Sequence, residues 1–312
     1  MRALSKISTL KGIIPPLITP LLNDDELDTE GLQSLLDHVI RGGVHGIFIL
    51  GTTGELSRLS FPLREQMISY TCRIVNKRVP VLVGISDTSM HESLRLGALA
   101  YTFGADAAVL APPYYYPVEQ DELLDYFRAI AGKTDLPVFL YNNPARTQIV
   151  IEIETVVNAS KIPGIVGIKD SSGDPEYIEK LISALRSLPG FPVFIGPEEF
   201  LAKSVLTGAN GGVNAGANLF PELYVELYEA VKKEDLQRVE KLQAILDDIR
   251  YTLYQIGKGK PNLIKIIKEA LFQKGISHPY MARPYIPFSE QEKQEIASCL
   301  QRLNIEEVMG KK

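Results

Sequence analysis

The chain has 312 residues, 45% of them hydrophobic, and a formal net charge of −5. That composition suits a globular protein with a sizeable core, and charges scattered along the chain exclude the clustered basic face of a nucleic-acid binder. No run approaches the roughly 18 apolar residues of a membrane span. Residues 1–11 lack the apolar stretch of a signal peptide, and Cys72 and Cys299 are too few for a disulfide framework. The expected compartment is the cytoplasm.

The first short apolar run, 12–19, reads as a strand. Residues 29–41 follow as a helix, with Leu32, Leu35, Leu36, Val39 and Ile40 on one face and Gly42-Gly43 as its stop. Strand-like runs then recur at 46–50, 79–85, 107–111, 137–142, 164–169, 191–196 and 211–215. Helical patterns follow them at 61–77, 92–103, 119–133, 152–160, 175–188, 199–207 and 221–232. Near-continuous apolarity marks parallel strands buried on both faces. Strand–helix pairs repeated eight times predict a closed (β/α)8 barrel, a fold of about 250 residues, rather than an open sheet.

Residues 233–312 carry no strand pattern and read as a helical bundle, with helices at 235–254, 261–274 and 289–303. Pro279, Pro284 and Pro287 enforce an irregular link before the last helix. The expected division is a catalytic barrel, 1–232, and a C-terminal bundle, 233–312.

Barrel active sites lie at the C-terminal ends of the strands. Polar residues at those ends are Thr52 and Thr53, Tyr114 to Tyr116, Tyr141 to Asn143, Lys169 and Asp170, Glu198 and Glu199, and Asn214. Lys169 ends an otherwise apolar run, where a charge is costly unless neutralised or paired. Burial disfavours the ammonium form and exposes an amine able to attack a carbonyl. Its plainer alternative is a solvated lysine or one paired with Asp170. Tyr141 ends the neighbouring strand and is a candidate proton relay, or simply a buried structural tyrosine. The turn Gly51-Thr52-Thr53-Gly54-Glu55 offers backbone N–H groups and two hydroxyls to a carboxylate.

No nucleotide-binding glycine fingerprint occurs. The four histidines, His38, His45, His91 and His278, lack ligand spacing, so neither a metal nor another cofactor is expected.

With these residues in place, the chain resembles the family of pyruvate-dependent class I aldolases that includes dihydrodipicolinate synthase and N-acetylneuraminate lyase. The resemblance spans nearly the whole length. It rests on the 12–20 segment Gly-Ile-Ile-Pro-Pro-Leu-Ile-Thr-Pro, on Gly51-Thr52-Thr53-Gly54-Glu55, and on Pro113-Tyr114-Tyr115. Tyr141-Asn142-Asn143-Pro144 and Gly167-Ile168-Lys169-Asp170 complete it.

The resemblance implies that Lys169 forms a Schiff base with pyruvate and that Tyr141 relays protons above it. Thr53 would bind the pyruvate carboxylate, and the Val213 carbonyl would lie beside it. Thr52 would link Tyr141 to Tyr115, which enters from a neighbouring subunit. A homotetramer built from tight dimers is therefore implied. The second substrate would be a small aldehyde or 2-oxo acid.

Signals for that partner diverge. Arg146 matches the arginine by which the synthases grip aspartate semialdehyde, a task suited to a bidentate guanidinium. Pro15-Pro16, Glu198, Glu199 and Asn214 instead match features of sugar-acid aldolases, where such groups contact substrate hydroxyls. The expected activity is 4-hydroxy-tetrahydrodipicolinate synthase. The alternative is cleavage of a 2-keto-3-deoxy sugar acid, N-acetylneuraminate or 4-hydroxy-2-oxoglutarate. A catalytically idle 2-oxo-acid sensor fits poorly with an intact Lys169 and Tyr141. Leu56 and Phe61 stand where lysine-regulated synthases carry polar side chains, so no feedback inhibition by lysine is expected.

Overall fold

The computed structural model describes residues 7–257, 263–303 and 305. Ten strands are numbered in chain order: β1 (Gly12–Ile13), β2 (Leu21–Asn23), β3 (Glu26–Leu27), β4 (Ile47–Ile49), β5 (Val81–Gly84), β6 (Ala107–Leu110), β7 (Val138–Asn142), β8 (Ile165–Asp170), β9 (Val193–Ile195) and β10 (Gly211–Gly212). Eight of them form one parallel sheet in the order β1-β10-β9-β8-β7-β6-β5-β4. The sheet closes where Pro16 bridges Phe48, with Leu17 N–H donating to the Phe48 carbonyl at 2.8 Å. This is the expected (β/α)8 barrel.

The first strand is shorter than its apolar run. Pro15 and Pro16 carry no N–H for a ladder, so regular pairing stops at Ile13 and resumes as the single bridge at Pro16. Asn218 fills the gap: its amide donates to the Pro16 carbonyl at 2.9 Å and accepts from Ile18 N–H at 3.1 Å. The antiparallel hairpin β2–β3 before the first helix was not evident in the sequence.

The helix Thr29–Arg41 matches expectation and is capped by Asp28, which accepts from Gly31 N–H at 2.8 Å. The eighth apolar run is strand only at Gly211–Gly212 and turns into a 3-10 helix at Ala215–Asn218. The segment after β9 begins with a 3-10 turn, Glu198–Phe200, before the helix Leu201–Thr207.

Beyond the barrel, the helices Leu236–Tyr251, Leu263–Gln273 and Glu290–Leu303 fall where helical patterns were read. The first ends three residues early, giving way to a 3-10 turn, Leu253–Gln255. Residues 261–262 of the second expected helix lie outside the described residues.

Among the described residues, two apolar cores result. The barrel interior is filled by Ile14, Phe48, Leu82, Val109, Phe139, Val166 and Phe194, with Ile7 and Leu10 in the same cluster. A larger outer layer lies between strands and helices, and it also takes in Leu246, Ile249, Ile266 and Ile267 of the C-terminal helices. The filled interior leaves the carboxyl ends of the strands as the place for chemistry. Among the described residues no helix is long and apolar enough to cross a membrane.

Candidate active site

Lys169 and Tyr141 are register partners on β8 and β7. On β7, Phe139 and Tyr141 point into the barrel while Val138 and Leu140 face the helices, the period of two expected of a strand. β8 breaks that period. Val166 joins the interior cluster, yet Ile168, two residues on, faces outward.

The cause is a register shift at Val138/Phe139, where Val138 pairs with Ile165 but Phe139 pairs with Gly167. One extra residue on β8 turns Val166 and Gly167 to the same side and so re-aims Lys169 inward. Gly167 is required there, because a Cβ would lie 2.4 Å from the Phe139 ring.

Lys169 is buried, and its Nζ lies 4.0 Å from the centre of the Tyr141 ring and 5.1 Å from that of Phe48. It is not paired with Asp170, whose carboxylate faces the other way. That carboxylate accepts from Asn142 Nδ2 at 2.7 Å and from the Ser172 hydroxyl at 2.8 Å. Burial raises the Asp170 carboxyl's pKa.

The Tyr141 hydroxyl meets Thr52 Oγ1 at 3.2 Å and accepts from Asn143 Nδ2 at 2.7 Å. Burial would raise its pKa. The neighbouring Lys169 charge, with hydrogen bonds from Thr52, Ser171 and Lys169, outweighs burial and holds it below the ordinary phenol value. Asn143 was among the strand-end candidates but was assigned no role, and Ser171 was not singled out. Their signal was position alone, one or two residues past a strand end.

These groups open into a cavity of about 310 Å³, also lined by Thr53, Arg146, Val213, Glu198, Glu199, Arg250 and Tyr254. Thr52 and Thr53 sit in a turn bounded by Leu50 (φ 55°) and Glu55 (φ 58°), both left-handed. The turn is tied down by Thr19 Oγ1, which donates to the Gly54 carbonyl at 2.7 Å. Arg146, on the short helix Pro144–Thr147, is exposed and reaches the cavity.

Of three expected substrate contacts, Asn214 lies away from the cavity, whereas Glu198 and Glu199 border it but hold partners within the protein. Asn214 is absent from the lining and fully buried; its amide donates to the carbonyls of Ile195 at 3.2 Å and Gly196 at 2.9 Å, which joins β10 to β9. Glu198 borders the cavity, but Oε1 accepts from Gly216 N–H at 2.7 Å and Oε2 from the Tyr224 hydroxyl. Burial raises its carboxyl pKa. Glu199 forms an ion pair with Arg250 at 2.8 Å across the rim.

Arg250 and Tyr254 come from the C-terminal bundle and went unread, because nothing in a helical pattern reveals which face overhangs a pocket. Tyr115 is 74% exposed, stacks edge-on with Tyr116, and lies outside this chain's cavity.

Among the described residues, no three His, Cys, Asp or Glu side chains gather as a metal-binding group. His45 Nδ1 accepts from Ile13 N–H at 3.1 Å, a structural use.

The profile of the Dihydrodipicolinate synthetase family matches residues 9–303. The chain belongs to this family. A solved dihydrodipicolinate synthase from Bacteroides thetaiotaomicron superimposes with a TM-score of 0.92 at 48% identity, covering 94% of this chain and 98% of that one. The 4-hydroxy-tetrahydrodipicolinate synthase of Polynucleobacter asymbioticus is 32% identical over 95% of this chain and 96% of its own length. The YagE protein of Escherichia coli K12, a putative 2-dehydro-3-deoxy-D-gluconate aldolase, is 32% identical over 94% of this chain and 97% of its own. As a family member the chain is an enzyme of the Schiff-base, pyruvate-dependent lyase and synthase class.

Proposed function

We propose that this dihydrodipicolinate synthetase family member condenses pyruvate with aspartate semialdehyde, as a 4-hydroxy-tetrahydrodipicolinate synthase. The observation that carries the reading is one cavity holding Lys169, Tyr141, Thr52, Thr53 and Arg146 together.

In this reading the Lys169 amine adds to the C2 carbonyl of pyruvate. Tyr141 delivers the proton with which the carbinolamine oxygen departs as water. The protonated imine then acts as an electron sink. Tyr141, by then deprotonated, takes a C3 proton to give an enamine, whose C3 attacks the aldehyde carbon as the aldehyde oxygen takes that proton back. The acceptor's own amine then displaces Lys169 from the imine carbon and frees the product. Thr53 holds the pyruvate carboxylate through its hydroxyl and the turn's N–H groups, beside the Val213 carbonyl. Arg146, exposed and without an ion-pair partner among the described residues, takes the acceptor's carboxylate.

A second reading has one observation of its own. The cavity extends past Lys169 to a rim of Glu199, Arg250 and Tyr254, which suits a longer hydroxylated substrate. That reading is pyruvate-releasing cleavage of a 2-keto-3-deoxy sugar acid, N-acetylneuraminate or 4-hydroxy-2-oxoglutarate.

Residues 1–232 are proposed as the catalytic barrel and 233–312 as a bundle that overhangs its mouth. The proposed assembly is a homotetramer in which Tyr115 of one subunit completes the Thr52–Tyr141 pair of the next. The proposed compartment is the cytoplasm, in keeping with free thiols at Cys72 and Cys299.

The test is pyruvate consumption with aspartate semialdehyde, with borohydride trapping of the imine on the same sample. Rapid consumption supports the synthase. A trapped imine without consumption, together with cleavage of 2-keto-3-deoxygluconate, moves the assignment to the aldolase. No trapped imine defeats both.

A further inference from the structure

The turn that carries Thr52 and Thr53 ends at Glu55, and Glu55 is anchored from far along the chain. Its side chain and that of Lys268, in the helix Leu263–Gln273, are both fully buried, with Nζ 2.5 Å from Oε1. Lys268 also donates to the Tyr280 carbonyl at 2.6 Å. The other Glu55 oxygen accepts from Ala282 N–H at 3.0 Å. On the catalytic side, Glu55 N–H donates to the Thr52 carbonyl at 3.1 Å, so one residue joins the bundle to the turn.

A buried ion pair of this kind is weak evidence for stabilisation. Removing two charges from water is costly, and replacing a buried ion pair by apolar groups of similar volume is often neutral or stabilising. What the pair supplies is geometry. Glu55 is a non-glycine residue held at φ 58°, a conformation that persists where its surroundings impose it. A shift at Glu55 would move the Thr52 hydroxyl away from Tyr141 and the Thr53 N–H away from a bound carboxylate.

We propose that Lys268 is a positioning residue for the reaction, acting through Glu55 to fix the Thr52–Thr53 turn against Tyr141 and the 2-oxo acid carboxylate. The inference rests on the Schiff-base reading above and assigns the C-terminal bundle a part in 2-oxo acid binding. Lys268 touches no substrate.

The single variant Lys268→Met strands the Glu55 charge and is expected to fold poorly, so the informative protein is the double variant Lys268→Met/Glu55→Gln, with no charge left to strand. Its thermal midpoint, its KM and kcat for pyruvate, and its rate of borohydride labelling are measured beside wild type at 25 °C. The expected result is a thermal midpoint near wild type with KM for pyruvate raised about tenfold or more, more than kcat falls, and correspondingly slower labelling at low pyruvate. Wild-type KM and labelling in the folded double variant would overturn the inference, leaving the pair as packing alone. Activity lost only in proportion to folded protein would overturn it equally. If wild type itself is not labelled, the Schiff-base reading fails first and this inference falls with it.

Discussion

Lys169 reaches Tyr141 because β8 holds one residue more than β7 below their shared register position. Strict alternation from Val166 would have turned Lys169 into the helical layer; the bulge at Val166-Gly167 turns it into the barrel. The reactive amine is therefore aimed by backbone geometry, and Gly167 is where that geometry is most exposed to change.

Gly167→Ala tests this directly. The new Cβ would lie 2.4 Å from the Phe139 ring and 2.8 Å from the Pro192 carbonyl, so strand or ring must move. Overpacking of this kind costs about 1–3 kcal/mol, and urea denaturation should show a loss in that range. Borohydride labelling of the folded variant with pyruvate should slow by about tenfold or more. Lys169→Ala, which keeps the bulge, should retain stability and lose labelling and turnover entirely. Labelling of Gly167→Ala at the wild-type rate would mean that the bulge does not govern the amine's position.

The pH profile should report the hydrogen bonds on Tyr141. Thr52 helps hold that hydroxyl below the ordinary phenol pKa by stabilising its deprotonated form. Removing the donor in Thr52→Val raises the pKa, so the alkaline limb of kcat should move to higher pH, with a lower plateau. An unmoved limb would assign it to another group.

Much of this was legible in the sequence, and the failures have physical reasons. Eight apolar runs separated by amphipathic segments announced the barrel, since burial on both faces leaves that pattern. Lys169, Tyr141, Thr52, Thr53, Arg146 and Val213 were found from strand ends and motif resemblance, and all line one cavity. The bulge was invisible, because it changes which residue faces inward without changing apolarity. Asn214 was misplaced because a strand-end position does not say whether an amide points into the cavity or back to its neighbour's carbonyls. Lys268 was lost in a helical pattern, since its partner lies more than two hundred residues away.

Arg146→Ala should separate the two substrates. A hydrogen bond to a charged group contributes about 1.5–3 kcal/mol, so KM for aspartate semialdehyde should rise about tenfold to a hundredfold. KM for pyruvate should stay within about twofold, because Thr53 and the turn hold that carboxylate. Steady-state kinetics with each substrate varied in turn would show it. Equal loss for both substrates, or for neither, would remove Arg146 from acceptor recognition.

Glu198 makes a prediction about stability. Burial raises its carboxyl above the ordinary glutamate value of 4.5, although Tyr224 and the Gly216 N–H oppose this. The native protein therefore holds the proton more tightly than the unfolded chain. The resulting stability is fully present below pH 4.5 and is lost as pH rises through the native pKa. Glu198→Gln stays neutral throughout, keeps the acceptor for Gly216 N–H, and offers an amide to the Tyr224 hydroxyl oxygen. Urea midpoints of the two proteins should nearly coincide at acidic pH. As pH rises the variant should become increasingly the more stable, until the difference levels off above the native pKa. A variant less stable than wild type at neutral pH would show that Glu198 folds as a carboxylate, its charge held by Tyr224, Tyr254 and the Gly216 N–H.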